Sequence, residues 1–378
     1  MTPDASSHRH HGLAPVTAGS LDLPNRFAVA PMTRVSASAD GVPNREMADY
    51  YTAFARGGFG MVITEGTYTD DRHSQSYLNQ PGAVTSAHTT GWARVAGAVQ
   101  AEGARIVMQL MHAGALSQGN PHRDHTIGPS PVPPRGRMMP EYGGEGPWQT
   151  PKEMDDDDIG TVVRGFADAA GNARQAGFDG VEIHAANGYL LDQFLTDYTN
   201  QRADHYGGSV LNRVRLTCEV VSAVRSRIGA GPLVGVRVSQ TKVNDFEHKW
   251  AGGAGDAEQI FAALAKAGAD YLHVAGEGRD WHGSARMDSG DTITRIAKRV
   301  SGVPVIANGG MHDLAVADQV LEEGHADLVA LGRGALANPD LVNRVAAGRN
   351  LDAFAPEMLH PMATLGNARR WASAGERH

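Results

Sequence analysis

The chain has 378 residues, a single cysteine, and 34 basic against 42 acidic side chains, which give a net charge of −8. This balance, without a basic cluster, makes nucleic acid and anionic membrane poor candidates as partners, and one cysteine excludes an internal disulfide or an all-cysteine iron–sulfur cluster. No apolar run approaches the roughly 18 residues of a membrane span and the N-terminus lacks an apolar signal core, so we expect a soluble, cytoplasmic protein.

Short apolar segments alternate with helical patterns along most of the chain. Predicted strands cover residues 27–30, 60–64, 105–110, 181–183, 233–238, 271–274, 303–307 and 328–331. Helical patterns cover 46–56, 88–102, a stretch after the acidic run 155–158, 210–228, 256–267, 292–300, 315–323 and 339–347. Eight strands that are each followed by a helix predict an α/β fold, a single (β/α)8 TIM barrel over residues 13–347.

Three segments lie outside this alternation. Residues 1–12 are polar and rich in histidine, and we expect them to be disordered. The segment 113–153 is rich in Pro, Gly, His and Arg, and a loop of such length inside a compact domain is usually functional. We therefore predict a long excursion after the third strand that covers the site, and a C-terminal tail over 348–378 with no assigned role.

Polar residues gather at the predicted carboxyl ends of the strands, where active sites of such barrels lie. His184 ends the fourth strand, and Asn187 and Tyr189 follow it directly. An imidazole, an amide and a phenol at one strand end suit holding a carbonyl oxygen and delivering a proton to a neighbouring carbon. The same residues could instead cap the strand, form its turn and pack, because turns favour such residue types.

Glycine pairs follow the seventh and eighth strands, as Asn308-Gly309-Gly310 and Gly332-Arg333-Gly334. Glycines at helix starts expose backbone N–H groups, and Arg333 adds a planar guanidinium cation that can donate two parallel N–H bonds. These turns therefore predict a phosphate-binding site. The alternative is that the glycines serve only to reverse the chain.

The stretch HAANGYLLDQFL at 184–195, followed by NQRADHYGGS at 200–209 and by Asn212-Arg213, resembles the signature of the old yellow enzyme family of FMN-dependent ene-reductases. APMTR at 30–34, RIVMQLMHAG at 105–114 and GVRVS at 235–239 are similar to further motifs of that family. The resemblance runs from about residue 21 to 345. It implies a bound FMN, NADPH or NADH as electron donor, and an α,β-unsaturated carbonyl compound as substrate.

The resemblance also implies a role for each residue at the strand ends. His184 and Asn187 would bind the substrate carbonyl, and Tyr189 would donate the proton. The implied cofactor-binding residues are Pro31, Met32 and Thr33 beside the flavin ring, Gly66 and Gln109 at its pyrimidine half, Arg237 near N1 and O2, and Gly309, Gly310, Gly332 and Arg333 at the phosphate. A cation near N1 suits a reduced, anionic flavin.

Some departures and alternatives stay open. Met111 stands where some family members carry a Trp, which leaves the shape of the pocket undetermined. The chain could be a flavin-binding barrel with another redox substrate or without useful turnover. In a metal-dependent barrel hydrolase, His8 and His10 would be metal ligands. These residues precede the first predicted strand, so we predict no metal. Assembly into a homo-oligomer is compatible with the sequence.

Overall fold

The computed structural model describes residues 9 to 276 and 281 to 375, and its centre is a closed barrel of parallel strands. The strands are β1 (Phe27–Val29), β2 (Met61–Ile63), β3 (Arg105–Met111), β4 (Gly180–Asn187), β5 (Leu233–Lys242), β6 (Tyr271–Ala275), β7 (Val305–Asn308) and β8 (Leu328–Leu331). Each strand pairs in parallel with the next one, and β8 pairs with β1. The predicted TIM barrel is confirmed.

An outer layer of helices covers the strands. It consists of α1 (Arg45–Arg56), α2 (Ser86–Ala101), α3 (Asp156–Gln175), α4 (Arg215–Ile228), α5 (Gly253–Ala267), α6 (Ile293–Ser301), α7 (Leu314–Glu322) and α8 (Leu341–Ala346). Further helices cover Leu190–Leu195, Val210–Arg213, Trp281–Ala285, Arg333–Ala337 and Leu365–Gly375. Asp155 caps α3, whose acidic first turn suits the positive end of the helix dipole. Within the described ranges, every helix is too short or too polar to cross a bilayer.

A small antiparallel hairpin covers the amino-terminal end of the barrel. Its strands, Val16–Ala18 and Leu21–Leu23, pair with each other. Ala18 and Leu23 are buried against Leu233 and Tyr271, the first residues of β5 and β6. This hairpin was not predicted, and it leaves the carboxyl ends of the strands as the open face of the barrel.

The N-terminal segment packs against α7 from residue 10 onward. The His10 imidazole lies 3.0 Å from the carbonyl oxygen of Leu314, and the backbone N–H of His11 donates to Asp318 at 2.6 Å. The disorder expected for residues 1–12 is not found at residues 10 to 12, because His10 and His11 have hydrogen-bonding partners on α7 and the carbonyl oxygen of Gly12 accepts from the N–H of Arg26. Residues 1 to 8 lie outside the described residues.

The C-terminal segment folds back onto the barrel. It contains the 3₁₀ turn Pro356–Leu359 and the helix Leu365–Gly375. The carbonyl oxygen of Thr364 accepts a hydrogen bond from the buried Arg34 guanidinium, and the N–H of Leu365 donates to the Ser36 hydroxyl. The segment that the sequence left without a role thus contacts the loop that follows β1, at the open face of the barrel.

Candidate active site

A cavity of about 620 Å³ opens at the carboxyl ends of the strands. Its volume is in the usual range of ligand sites, roughly 300–1,000 Å³. Every residue proposed from the sequence lines it: Pro31, Met32, Thr33, Gly66, Gln109, His184, Asn187, Tyr189, Arg237, Gly309, Gly310, Gly332 and Arg333. The fold therefore brings these residues together in one place, while the role of each stays a prediction.

His184 on β4 is a neutral hydrogen-bond donor in this cavity. Burial, and next the neighbouring Arg237 cation, lower the pKa of the imidazole to about 3. The backbone N–H of Ala186 donates to Nδ1 of His184 at 3.3 Å. This contact assigns the single proton of the neutral ring to Nε2, which can then donate to an oxygen of a bound molecule.

The end of β4 is fixed by contacts to β5. Asn187 has a left-handed backbone (φ 64°), a conformation that Asn tolerates better than most residues. Its N–H donates to the Ser239 hydroxyl at 2.8 Å, and its carbonyl oxygen accepts from the N–H of Val243 at 3.1 Å. Because both backbone groups of Asn187 are hydrogen-bonded, the backbone from which its side chain extends has a fixed position at the cavity wall.

A buried ion pair also supports the end of β4. The ammonium group of Lys242 donates to the Asp192 carboxylate at 2.6 Å, and neither side chain is exposed by more than 1%. The other carboxylate oxygen of Asp192 accepts from the N–H of Gly188 at 2.7 Å. The pair therefore links β5 to the peptide group between Asn187 and Tyr189. No feature of the sequence pattern indicated it.

The hydroxyl of Tyr189 forms a short hydrogen bond with the hydroxyl of Tyr77. Tyr77 lies in the loop between β2 and α2, and its side chain is fully buried. Burial, and next the neighbouring Tyr189, raise the pKa of Tyr77 well above its ordinary value. The ring of His184 meets that of Tyr189 edge-on, with 5.0 Å between centroids. Sequence reasoning missed Tyr77, which lies in no recognised motif.

Two segments outside the strand ends complete the wall of the cavity. The excursion after β3 contributes Met139, Glu141 and Tyr142, and the C-terminal segment contributes Leu359. The N–H of Ala363 donates to the carbonyl oxygen of Glu141, which joins the two segments. The excursion reaches the site as predicted, whereas the contribution of the C-terminal segment had not been anticipated.

The turns after β7 and β8 give the cavity a wall of backbone. Gly309 and Gly310 have positive φ values of 113° and 73°, which glycine adopts without strain. A Cβ at position 309 would lie 2.5 Å from the carbonyl oxygen of Gly276, so a larger residue has no room there. Gly332 and Arg333 begin the short helix after β8. Backbone N–H groups and a cation of this kind fit the phosphate of FMN.

Gln109 and Arg237 supply the polar groups that a flavin ring needs. The amide nitrogen of Gln109 donates to Glu182 at 2.8 Å, which leaves the amide oxygen as an acceptor beside Gly66. The Arg237 guanidinium is held by the side-chain oxygen of Asn308 at 2.9 Å. An acceptor fits the imide N–H of a flavin, and a cation fits the charge that its pyrimidine half gains on reduction. The residues present therefore fit FMN.

A catalytic metal has no support from the part of the chain that the structure describes. Within residues 9–276 and 281–375, His, Cys, Asp and Glu side chains form no group of three that could hold a metal ion. His10 and His11 contact Asp318 on α7 instead. His8, the other histidine of the HxH pair, lies outside the described residues.

The comparison with protein families decides the assignment that the fold and the cavity suggest. Residues 13–352 match the model of the NADH:flavin oxidoreductase / NADH oxidase family. The chain belongs to this family. The resemblance to the old yellow enzymes is thereby confirmed, as is membership of a family of FMN-dependent oxidoreductases.

Individual relatives align with most of this chain. It is 31% identical over 338 residues to an NADH oxidase of Thermoanaerobacter brockii, covering 88% of this chain and 50% of that protein. It is 34% identical over 367 residues to a probable flavin mononucleotide-dependent alkene reductase of Leishmania infantum, covering 94% and 95%. The solved structure of morphinone reductase in complex with tetrahydroNAD matches with 32% identity and a TM-score of 0.78, over 92% and 93% of the two chains. The chain thus spans half the length of the NADH oxidase.

Proposed function

We propose that this protein is an ene-reductase, which uses FMN and NADPH or NADH to reduce the activated C=C bond of α,β-unsaturated carbonyl compounds. The observation that carries the proposal is the grouping of a neutral His184, Asn187 and the paired hydroxyl of Tyr189 in one cavity. The remaining walls of that cavity fit FMN. The relative named as an alkene reductase, which aligns over nearly its full length, supports the same activity.

The cofactor would lie against the backbone turns and the two polar side chains described above. Bound FMN supplies hydride transfer between a nicotinamide and the substrate carbon. Gly309, Gly310, Gly332 and Arg333 would hold its phosphate, Gln109 and Arg237 its pyrimidine half, and Pro31, Met32 and Thr33 its ring. The complex of morphinone reductase with tetrahydroNAD supports a nicotinamide as the electron donor, which we place in the same cavity.

His184 and Asn187 would bind the carbonyl oxygen of the substrate. Nε2–H of His184 and the side-chain amide of Asn187 can each donate one hydrogen bond to that oxygen. These bonds strengthen as negative charge develops on the oxygen during attack at the β-carbon. Because the pKa of His184 is lowered to about 3, the imidazole acts here as a neutral donor and does not take up a second proton at neutral pH.

Tyr189 would deliver the proton to the α-carbon. A phenol has a pKa near 10 in water, so it can protonate an enolate-like carbon while it stays protonated at neutral pH. If Tyr77 donates to the Tyr189 oxygen, the proton of Tyr189 is directed into the cavity. The same hydrogen bond would stabilise the Tyr189 oxygen after the proton has left.

Initial-rate kinetics with NADPH or NADH and 2-cyclohexenone test this proposal on the FMN-loaded protein. One shared cavity requires the oxidised nicotinamide to leave before the enone binds, so double-reciprocal plots should be parallel (ping-pong). Intersecting lines would contradict the shared cavity. A protein that binds FMN but shows no enone-dependent oxidation of either nicotinamide would favour the alternative, a flavin-binding barrel with another redox substrate or without useful turnover.

A further inference from the structure

Five neighbouring strands send polar side chains into the barrel, where the side chains form one continuous hydrogen-bonded network. In strand order from β3 to β7 its members are Gln109, Glu182, Arg237, Tyr271, His273 and Asn308. Glu182, Tyr271 and His273 have no exposed surface and take no part in the mechanism proposed above. A carboxylate in such a place is costly unless hydrogen bonds and charge satisfy it, so its presence needs a physical reason.

His273 is a neutral bridge between a cation and a carboxylate. Nη1 of Arg237 donates to Nε2 of His273 at 2.6 Å, and Nδ1 of His273 lies 2.9 Å from Oε2 of Glu182. Burial, and next the Arg237 cation, lower the pKa of His273, which keeps the ring neutral. The proton of the ring is therefore on Nδ1, and every hydrogen bond of the bridge points from Arg237 toward Glu182.

Glu182 is the common acceptor of this network. It takes hydrogen bonds from the amide of Gln109 at 2.8 Å and from the hydroxyl of Tyr271 at 3.0 Å, besides that of His273. Burial alone would raise the pKa of Glu182, but the contacts with His273 and the charge of Arg237 outweigh burial and lower it. The carboxylate is thus ionised, and it is linked directly to Gln109 and through His273 to Arg237, two side chains that line the cavity.

Gly235 leaves the space that the ring of Tyr271 occupies. On β5, Gly235 lies opposite both Glu182 on β4 and Tyr271 on β6. A Cβ at position 235 would overlap the ring of Tyr271. The glycine therefore makes space for this ring inside the barrel, from where its hydroxyl reaches the carboxylate.

We propose that Glu182 and His273 are positioning residues that set what Gln109 and Arg237 present to FMN. This inference rests on the proposed function, since it requires FMN in the cavity. Glu182 binds the NH₂ group of Gln109, so the amide oxygen is the group that faces the imide N–H. Glu182 also places a negative charge behind Arg237, which reduces the attraction of the guanidinium for reduced, anionic FMN. Removal of this charge should therefore favour reduced FMN.

The reduction potential of bound FMN tests the proposal directly. In Glu182→Gln the ratio of affinities for reduced and oxidised FMN should rise about tenfold, which for two electrons is a shift of about 30 mV to higher potential. Glu182→Asp keeps the charge, and Tyr271→Phe removes a hydrogen bond to the same carboxylate but no charge. Both control variants should stay within about threefold of the parent protein. A folded Glu182→Gln with an unchanged potential overturns the proposal.

A second pair of variants keeps the test decisive if Glu182→Gln does not fold. In His273→Gln the amide can still donate to Glu182 and accept from Arg237, whereas in His273→Leu the side chain can do neither. FMN should bind at least tenfold more weakly to His273→Leu than to His273→Gln when the apoproteins are titrated by flavin fluorescence. Equal affinities overturn the proposal. If the unmodified protein binds no FMN, the proposed function itself fails, and the inference fails with it.

Discussion

Tyr77 and Tyr189 lie 112 positions apart in the chain, yet their hydroxyl groups share a hydrogen bond in the wall of the cavity. Tyr77 is fully buried and its ring packs against Tyr142 of the excursion, with 4.8 Å between centroids. Because the pKa of Tyr77 is raised well above its ordinary value, this residue keeps its proton. It is therefore suited to act as the fixed donor that orients Tyr189.

Tyr77→Phe should slow the oxidation of reduced flavin by 2-cyclohexenone about tenfold, on the scale of one lost hydrogen bond of roughly 1–1.5 kcal/mol. Reduction of the flavin by NADPH should not change, because it needs no proton from Tyr189. Stopped-flow absorption measures the two half-reactions separately. An unchanged oxidative rate would show that Tyr77 only fills space.

Tyr189→Phe should have the larger effect on the same step. General-acid catalysis contributes roughly 10²–10⁴-fold, and water in the cavity can replace part of it, so we expect a loss near the lower end of that range. The reductive half-reaction serves as the internal control. Equal slowing of both half-reactions would remove Tyr189 from the protonation step and point instead to a general disturbance of the cavity.

His184→Ala should weaken the binding of phenol to the oxidised, FMN-loaded protein at least tenfold, because a buried oxygen loses a donor. The measurement is a titration that follows the long-wavelength charge-transfer band of the complex. His184→Gln retains a side-chain N–H and is the matched control, which should bind more tightly than His184→Ala. If all three proteins titrate alike, His184 is not in contact with the ligand oxygen.

Stability should fall as the pH is lowered, partly because of His184. The pKa of this group is about 3 in the folded protein and about 6.5 when unfolded, so the unfolded chain binds the proton first. The contribution of His184 is fully present above pH 6.5 and is lost as the pH falls toward 3. Linkage gives a loss of about 2 kcal/mol between pH 7 and pH 5. Urea unfolding of His184→Gln should show a pH dependence that is shallower by about that amount, whereas identical slopes would contradict the assignment.

Lys242→Met should destabilise the protein by about 3 kcal/mol near pH 8, because it leaves the buried Asp192 carboxylate without its cation. Burial already raises the pKa of Asp192, and the loss of Lys242 would raise it further. The penalty should therefore shrink as the pH falls and the carboxyl group takes up a proton. The double variant with Asp192→Asn should recover part of the lost stability in urea unfolding. A penalty that does not depend on pH would contradict this explanation.

The barrel and the strand-end residues could be predicted because their signals are local. Apolar segments at regular spacing place the strands, and positions at or just after the end of a predicted strand place His184 and Arg333 at the open face without further information. The turn at Gly309 and Gly310 could be predicted for a similar reason, since glycine adopts its positive φ values without strain. These features depend on a few consecutive residues.

The contacts that complete the site depend on chain segments far apart in sequence. Tyr77 and Leu359 lie in loops whose patterns resemble those of any surface loop, and only the closed barrel brings them to the cavity. In the sequence, Glu182 and His273 are single polar residues within apolar strand segments. Their partnership follows from the neighbouring positions of β4, β5 and β6 in the barrel and from the space left at Gly235. No spacing along the chain encodes that arrangement.

The most direct test is an absorption spectrum of the purified protein, followed under anaerobic conditions by addition of NADPH and then of 2-cyclohexenone. We expect flavin bands that bleach with NADPH and return with the enone, which would establish the cofactor, both half-reactions and the substrate class. Bleached bands that do not return would retain the flavoprotein but reject the ene-reductase. A protein that stays colourless after incubation with FMN would contradict the proposed FMN site and the ene-reductase function with it.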